Sequence, residues 1–370
     1  SDIIFKIYKN EGDKMYKIGI IGLGFMGGCI AKTLITSSKI CSIIAFDNNI
    51  ESLKQAKKDN SITEYTTNLE DFKDTDIIFL CTPVGFISEY ANRLKYIIKK
   101  DCIITDIGST KNSIIQALEK IDVNFVGGHP MVGSERTGYN TSNNYLFENT
   151  YYIITKNSNI EATKKVETIV KELKAIPVTV EPEKHDYIVA AISHVPHVIA
   201  AGLVNLVKDL DDEKENLKTL AAGGFKDITR IASSDPTMWM HICSENKKEI
   251  IPILEKYIQT LNEIKDNINN SKNVYNFFDS SKKYRDSFIN KKVNGQALPT
   301  LNITIKDESG AIAKIANILA DKNISIKNIG IVNNRETIDG ALNIVFSSFE
   351  EQEKGYIILT QNNYIVSKIN

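Results

Sequence analysis

"IGIIGLGFMGGCIAKTL", residues 18–34, decides the fold. A short β-branched run suited to a strand buried on both faces ends at Gly22, and the run that follows carries apolar residues at helical spacing. Between them Gly22, Gly24 and Gly27, together with Phe25 and Met26, spell G-x-G-x-x-G at a strand-to-helix turn. The first glycine permits the tight turn, the second lets a pyrophosphate approach the backbone, and the third lets helix and strand pack closely. The free N–H groups that open the helix then face the phosphates. The next strand candidate, "SIIAFD" (42–47), ends in Asp47, an acid suited to accept from adenosine ribose hydroxyls and to repel a 2′-phosphate. The pattern predicts a dinucleotide site that prefers NAD to NADP. Thr82 and Pro83, at the carboxyl edge after "DIIFLC" (76–81), belong to the same site.

Outward from this motif, "CIITDIGS", "NFVGGHPM", "YYIIT" and "IPVTVE" alternate with amphipathic runs such as "ISEYANRLKYIIKK" and "IEATKKVETIVKELK". Strands alternating with helices mean βαβ units and a mostly parallel sheet, which assigns residues 15–182 to one α/β domain. From "EKHDYIVAAISHVPHVIAAGLVNLVKDL" (183–210) to Lys292 only helical patterns follow, a second, all-α domain over 183–292. "NKKVNGQALP" (290–299) reads as a polar linker. Residues 299–370 return to mixed α/β with "TLNITIKD", "GAIAKIANILADK", "ISIKNIGIV" and "GALNIVFSS". Residues 1–14 are charged, lack the long apolar core of a signal peptide and stay unassigned, with Met15 a plausible natural start.

Composition narrows the function classes. At 370 residues, with 42% apolar and 25% charged side chains, the chain reads as two or three ordinary globular domains. No apolar run comes near the roughly 20 residues that span a bilayer, so no membrane partner is expected. A net charge of −1 supplies no basic field for nucleic acid. Five scattered cysteines without a C-x-x-C pair argue against a disulfide framework or a zinc site and fit a reducing, cytoplasmic setting.

Two polar side chains fall just past later strands. "DIGSTK" (106–111) carries Ser109 and "GGHPMVGSE" (127–135) carries His129. Open parallel sheets bind ligands outside the carboxyl ends of their strands, so both are expected at the nicotinamide end of the crevice. Glycines on one side and a Pro turn on the other make the His129 loop rigid, which favours catalysis over a structural histidine. In the helical domain Ser193, His194 and His197 sit in "SHVPH"; the two histidines share a helix face, but no third ligand is evident and no metal is expected.

In order and spacing, "GLGFMGG", "DIGSTK", "GGHPMVGSE", "SHVPH" and "GGFKDITRIASSDPTMW" (223–239) resemble the prephenate dehydrogenases, and the terminal segment resembles the ACT domain that some of them carry. The resemblance covers the chain from Met15 onward. It implies an α/β Rossmann domain, an all-α dimerisation domain forming a homodimer, and a small α+β ferredoxin-like ACT domain. The implied reaction is NAD-dependent oxidative decarboxylation of prephenate to 4-hydroxyphenylpyruvate, on the route to tyrosine. Here His129 is the base on the ring hydroxyl and Ser109 bonds that hydroxyl and helps orient the histidine. The resemblance makes Ser193, His194 and His197 part of the substrate wall. Arg230 would bind a substrate carboxylate bidentately. Asp227 is either a brace for its fork or a solvated neighbour, Lys226 stands where many relatives have Arg, and Trp239 is expected in packing. Arogenate in place of prephenate, a β-hydroxyacid dehydrogenase, and a non-catalytic NAD or amino-acid sensor are the alternatives. In the terminal domain Asp307, Gly310 and Asn328 are the expected regulatory residues, with L-tyrosine as the feedback ligand.

Overall fold

A computed structural model describes residues 15–133, 136–156, 159–287, 292–293, 296–297, 299–306, 308–332 and 339–369. The chain divides into two compact units, residues 1–259 and 260–370.

The first unit begins with β1 (Tyr16–Ile21), α1 (Phe25–Leu34), β2 (Ile40–Phe46), α2 (Ile50–Lys58), β3 (Glu64–Thr66), β4 (Ile77–Leu80), α3 (Ile87–Leu94), β5 (Ile103–Asp106), α4 (Asn112–Leu118) and β6 (Asn124–Val126). The strands form a six-stranded sheet in the order β3-β2-β1-β4-β5-β6, parallel at every pairing. Alternate side chains enter two cores: Ile18, Ile20, Ile43 and Phe79 on one face, Ile21, Ile78, Leu80 and Ile104 on the other. Each such side chain contributes about 1.5–3 kcal/mol by burial. The strand order reverses between β1 and β4, which opens the crevice where ligands bind in such sheets.

"NFVGGHPM" is not one strand. After β6 the chain leaves the sheet, and β7 (Gly128–Pro130) pairs antiparallel with β8 (Tyr151–Thr155), which follows a 3₁₀ turn at Tyr139–Thr141 and runs parallel to β9 (Ile176–Val180) beyond α5 (Ile160–Glu172). Crowding forces glycine at the crossing. A Cβ on Gly127 would lie 2.6 Å from Thr155 Oγ1, and one on Gly128 would lie 2.6 Å from the Asp106 carbonyl oxygen.

Helices follow: α6 (Pro182–Val189), a π turn at Ala190–His194, α7 (Val195–Leu210), α8 (Asn216–Leu220), α9 (Gly223–Thr229), a 3₁₀ turn at Arg230–Ser233, and α10 (Pro236–Glu245). Pro196 has no N–H and its ring crowds the carbonyl four residues back, at Ile192, which accounts for the widened turn there. The combined helix Pro182–Leu210 corrects one expectation: with 29 residues, and a mean hydropathy of 1.7 over an 18-residue window, it is long and apolar enough to cross a membrane by length and composition. Its His185, Asp186 and His194 are nonetheless buried and hydrogen-bonded within this unit, and a bilayer gives such groups no partners.

Helix α11 (Lys247–Asn269) crosses the division, and α12 (Val274–Ser287) and a short antiparallel pair, β10 (Lys292–Val293) with β11 (Gln296–Ala297), come after it. The second unit then runs β12 (Thr300–Lys306), α13 (Ala311–Ala320), β13 (Ile326–Val332), β14 (Asp339–Phe346), α14 (Phe349–Gln361) and β15 (Val366–Ile369), a βαββαβ order with an antiparallel sheet ordered β13-β14-β12-β15. Leu301, Ile303, Ile315, Leu342, Ile344 and Leu359 fill its core. Gly310 caps α13 at φ 84°. Asn328 lies near the start of β13, beside a register shift, and not at the strand's end as expected, because the strand runs on to Val332. Asp307 lies outside the described residues.

Candidate active site

The glycine turn has the form its spacing implies. Gly22 adopts φ +95°, and a Cβ there would lie 2.7 Å from the Cys81 carbonyl oxygen, so no L side chain fits. A Cβ on Gly27 would come within 2.1 Å of the Gly22 carbonyl oxygen, which is the close helix–strand approach. Around Gly24 there is open space, and α1 starts there with no side chain capping its N–H groups. Asp47 closes the end of β2 and accepts from the Leu23 amide at 2.5 Å and the Asn49 amide at 2.7 Å. Its carboxylate keeps lone pairs for a diol. The buried Thr82 hydroxyl has no partner among the described residues. Free helix amides, an open approach at Gly24, an acid on the second strand and an orphaned hydroxyl together fit a dinucleotide.

At the carboxyl ends of β5 and β6 the polar groups close into a ring. Asp106 ends β5; its Oδ2 accepts from the Gly108 amide at 2.8 Å and from Lys111 Nζ, and its Oδ1 from the Gly128 amide at 3.0 Å. Both side chains of this ion pair are fully buried. His129 Nδ1 lies 2.8 Å from His185 Nε2, and His185 Nδ1 lies 2.7 Å from Asp186 Oδ1. Asp186 in turn accepts the amides that open α4, Lys111 N–H at 2.8 Å and Asn112 N–H at 2.9 Å. Burial, the nearby His185, Lys111 and His194 hold His129 well below the usual imidazole range. Burial also lowers His185, against the pull of Asp186. Burial opposes ionisation of Asp186, but hydrogen bonds from His185 and the Asn112 amide outweigh it and keep the carboxyl low. Among the described residues His129 makes no hydrogen bond to Ser109; its ring is braced by His185 instead.

A second group lies on the helices. Asn246 Nδ2 donates to the Asp186 carbonyl oxygen at 2.9 Å and sits 3.1 Å from His194 Nδ1. With Nδ1 accepting, His194 carries its proton on Nε2, and that buried N–H has no partner among the described residues. Burial pushes His194 down to about 4, so it is neutral. The Trp239 ring stacks on His197 at 4.0 Å and meets His194 edge-on at 5.9 Å, and its Nε1–H is likewise unpaired among the described residues. His197 Nδ1 donates to the Ser193 carbonyl oxygen at 2.8 Å. Burial lowers His197, with a further contribution from the Arg230 charge. Arg230 is exposed and forms no ion pair among the described residues, so Asp227 does not brace its fork.

Residues 30–179 match the family described as prephenate dehydrogenase, nucleotide-binding domain, and residues 181–280 match prephenate dehydrogenase, dimerization domain. A prephenate dehydrogenase of Bacillus subtilis is 33% identical over 345 residues, 90% of this chain and 93% of that protein. The chain belongs to the prephenate dehydrogenase family. A second relative, the prephenate dehydrogenase of Lactococcus lactis, is 33% identical over 365 residues, 95% of this chain and all of that one. The crystal structure of the Aquifex aeolicus prephenate dehydrogenase in complex with hydroxyphenyl propionate and NAD+ superimposes with a TM-score of 0.70 at 34% identity, covering 74% of this chain and 99% of that one. Members of this family are NAD-dependent oxidoreductases, and so is this chain.

The sequence reading passed over His185, Asp186, Asp106, Lys111 and Asn246. The one local signal was the adjacent His-Asp in "EKHD" at the start of α6.

Proposed function

We propose that the chain oxidises and decarboxylates prephenate to 4-hydroxyphenylpyruvate, with His129 as the base. The observation that carries this reading is the His129–His185–Asp186 chain at the carboxyl edge of the sheet. It leaves His129 neutral with one ring nitrogen free. Gly22, Gly24, Phe25, Met26, Gly27, Asp47, Thr82 and Pro83 would hold NAD, which would supply the acceptor for the hydride of the carbinol carbon. His129 receives the hydroxyl proton, and loss of the ring carboxylate as carbon dioxide aromatises the ring. Ser109 donates to or accepts from the same hydroxyl. Arg230 takes a carboxylate, and Ser193, His194 and His197 form the wall around the substrate. The unpaired N–H groups of His194 and Trp239 suit the carboxylate and keto acceptors of prephenate and give nothing to the ammonium group of arogenate. Exposed Leu206, Leu210, Leu220 and Met240 on the helices support a homodimer, and a cytoplasmic setting goes with a soluble biosynthetic enzyme.

The test is NADH absorbance on mixing the chain with NAD and prephenate, with arogenate in a parallel reaction. Turnover of prephenate is expected. Turnover of arogenate alone moves the reading to that substrate, and turnover of neither leaves a sensor.

We read residues 299–370 as an ACT domain, supported by the βαββαβ order and the left-handed Gly310 turn that opens α13. Asp307, Gly310 and Asn328 are the residues we assign to an amino-acid ligand, L-tyrosine as feedback inhibitor. Coupling of this kind is typically worth about 1–3 kcal/mol. A truncation after Ala297 should stay active and lose tyrosine sensitivity. Persistent inhibition competitive with prephenate would put tyrosine at the active site instead.

A further inference from the structure

We propose that His185 and Asp186 are positioning residues: they hold His129 in the single tautomer whose Nε2 lone pair is free to take the substrate's proton. The inference rests on the reading of His129 as the base. It goes further by assigning each proton in the chain.

The assignment starts from backbone. Asp186 faces the amides of Lys111 and Asn112, and an amide N–H can only donate. Both carboxyl oxygens are therefore acceptors, and the ionised form is the one these two bonds select. His185 Nδ1, 2.7 Å from Asp186 Oδ1, must then donate to it. Burial keeps His185 neutral, so its Nε2 carries a lone pair. That lone pair lies 2.8 Å from His129 Nδ1 and accepts its N–H. His129 is left with a bare Nε2. One ring nitrogen's hydrogen bond thus sets the state of the other.

The ring has little freedom to invert this order. Asp106 holds the Gly128 amide, and its buried partner Lys111 supplies the residue whose own amide fixes Asp186. Among the described residues the charged and titratable groups that act on His129 are Lys111, His185 and His194. When Nε2 takes the hydroxyl proton, the imidazolium keeps its Nδ1–H bond to His185, with the Asp186 charge beyond it. His185 and Asp186 act through His129 and need not touch the substrate.

Substituting Asp186→Leu should release the chain. With no acceptor left for its Nδ1–H, His185 is free to carry its proton on Nε2 instead, which sends the His129 proton to its own Nε2, where it blocks the base. His185→Gln keeps an acceptor toward His129 and a donor toward Asp186, whereas His185→Leu keeps neither.

The experiment is ¹⁵N NMR of the imidazole nitrogens in the full chain labelled at histidine, combined with steady-state kinetics on prephenate. In wild type the expected state of His129 is protonated Nδ1 and bare Nε2. Asp186→Leu should let in the Nε2–H form and lower kcat by about 10²- to 10⁴-fold, the range of a positioned base, with the KM for prephenate little changed. His185→Gln should recover part of the rate that His185→Leu loses. A wild-type His129 protonated on Nε2 overturns the proposal without recourse to any variant, as does Asp186→Leu with unchanged tautomer and kcat. If the tautomers behave as expected while prephenate is not turned over, the positioning role stands and the reaction assigned above falls.

Discussion

Two histidine-rich regions of the first unit are built on opposite principles. Around His129 the ring nitrogens facing His185, and the amides and carboxylates behind them, are hydrogen-bonded in a closed circuit through His185, Asp186, Lys111, Asp106 and Gly128. Around His194, His197 and Trp239 the rings pack on one another, but His194 Nε2 and Trp239 Nε1 are left unpaired among the described residues. A buried polar group without a partner costs free energy, so such groups are kept where something else satisfies them. On the proposed reading the difference separates two tasks: the closed circuit would fix a base before substrate arrives, and the open wall would hold donors for the substrate to complete.

That contrast is sharpest in how each region should respond to losing a side chain. In the closed circuit the loss is one of stability. Lys111→Met leaves Asp106 buried without its cation and should lower unfolding free energy by about 3–5 kcal/mol, read by urea denaturation. Unchanged stability would mean that the circuit is not closed in solution.

On the open wall the loss should appear in substrate binding. Arg230 is exposed in the free chain, so Arg230→Ala should raise the KM for prephenate by the equivalent of about 1.5–3 kcal/mol, the net value of hydrogen bonds to a charged group, with kcat and thermal stability nearly unaltered. Unchanged saturation by prephenate would return Arg230 to a solvated surface. The smallest effect is expected from Trp239→Phe, which removes an N–H with no partner within the described protein. Stability should hold, and prephenate binding should weaken by about 0.5–1.5 kcal/mol, the net value of one neutral hydrogen bond. A marked drop in melting temperature instead would show that the indole N–H is satisfied within the protein.

What was legible in the sequence was local. The glycine turn is set by sterics over six residues, so Gly22, Gly24 and Gly27 could be given separate tasks before any coordinates, and Asp47 follows from the length of one βα unit. His129 stood out because of the glycines and proline beside it. Its partner did not, since His185 lies 56 residues away and a single sequence carries no distances. Lys111 and Asp186 read as ordinary polar residues at helix starts because their burial depends on each other's elements. The break between β6 and β7 was likewise invisible: it is forced by Thr155 and Asp106, which come from other strands. The run over α6 and α7 reads simply as helical, and the π turn at Ala190–His194 depends on Pro196 in a way that periodicity does not register.

The pH dependence of kcat with prephenate tests most directly whether His129 is a neutral, preset base. The base works only when unprotonated, and burial lowers its proton affinity, so the wild-type rate should stay flat through neutral pH. It should fall only on the acid side, at a midpoint clearly below the ordinary imidazole value of 6.5. His129→Asn should be slower by about 10²- to 10⁴-fold, bind NAD normally and lack that acid limb. Near-full turnover by His129→Asn, or the same acid limb in both proteins, would contradict the assignment.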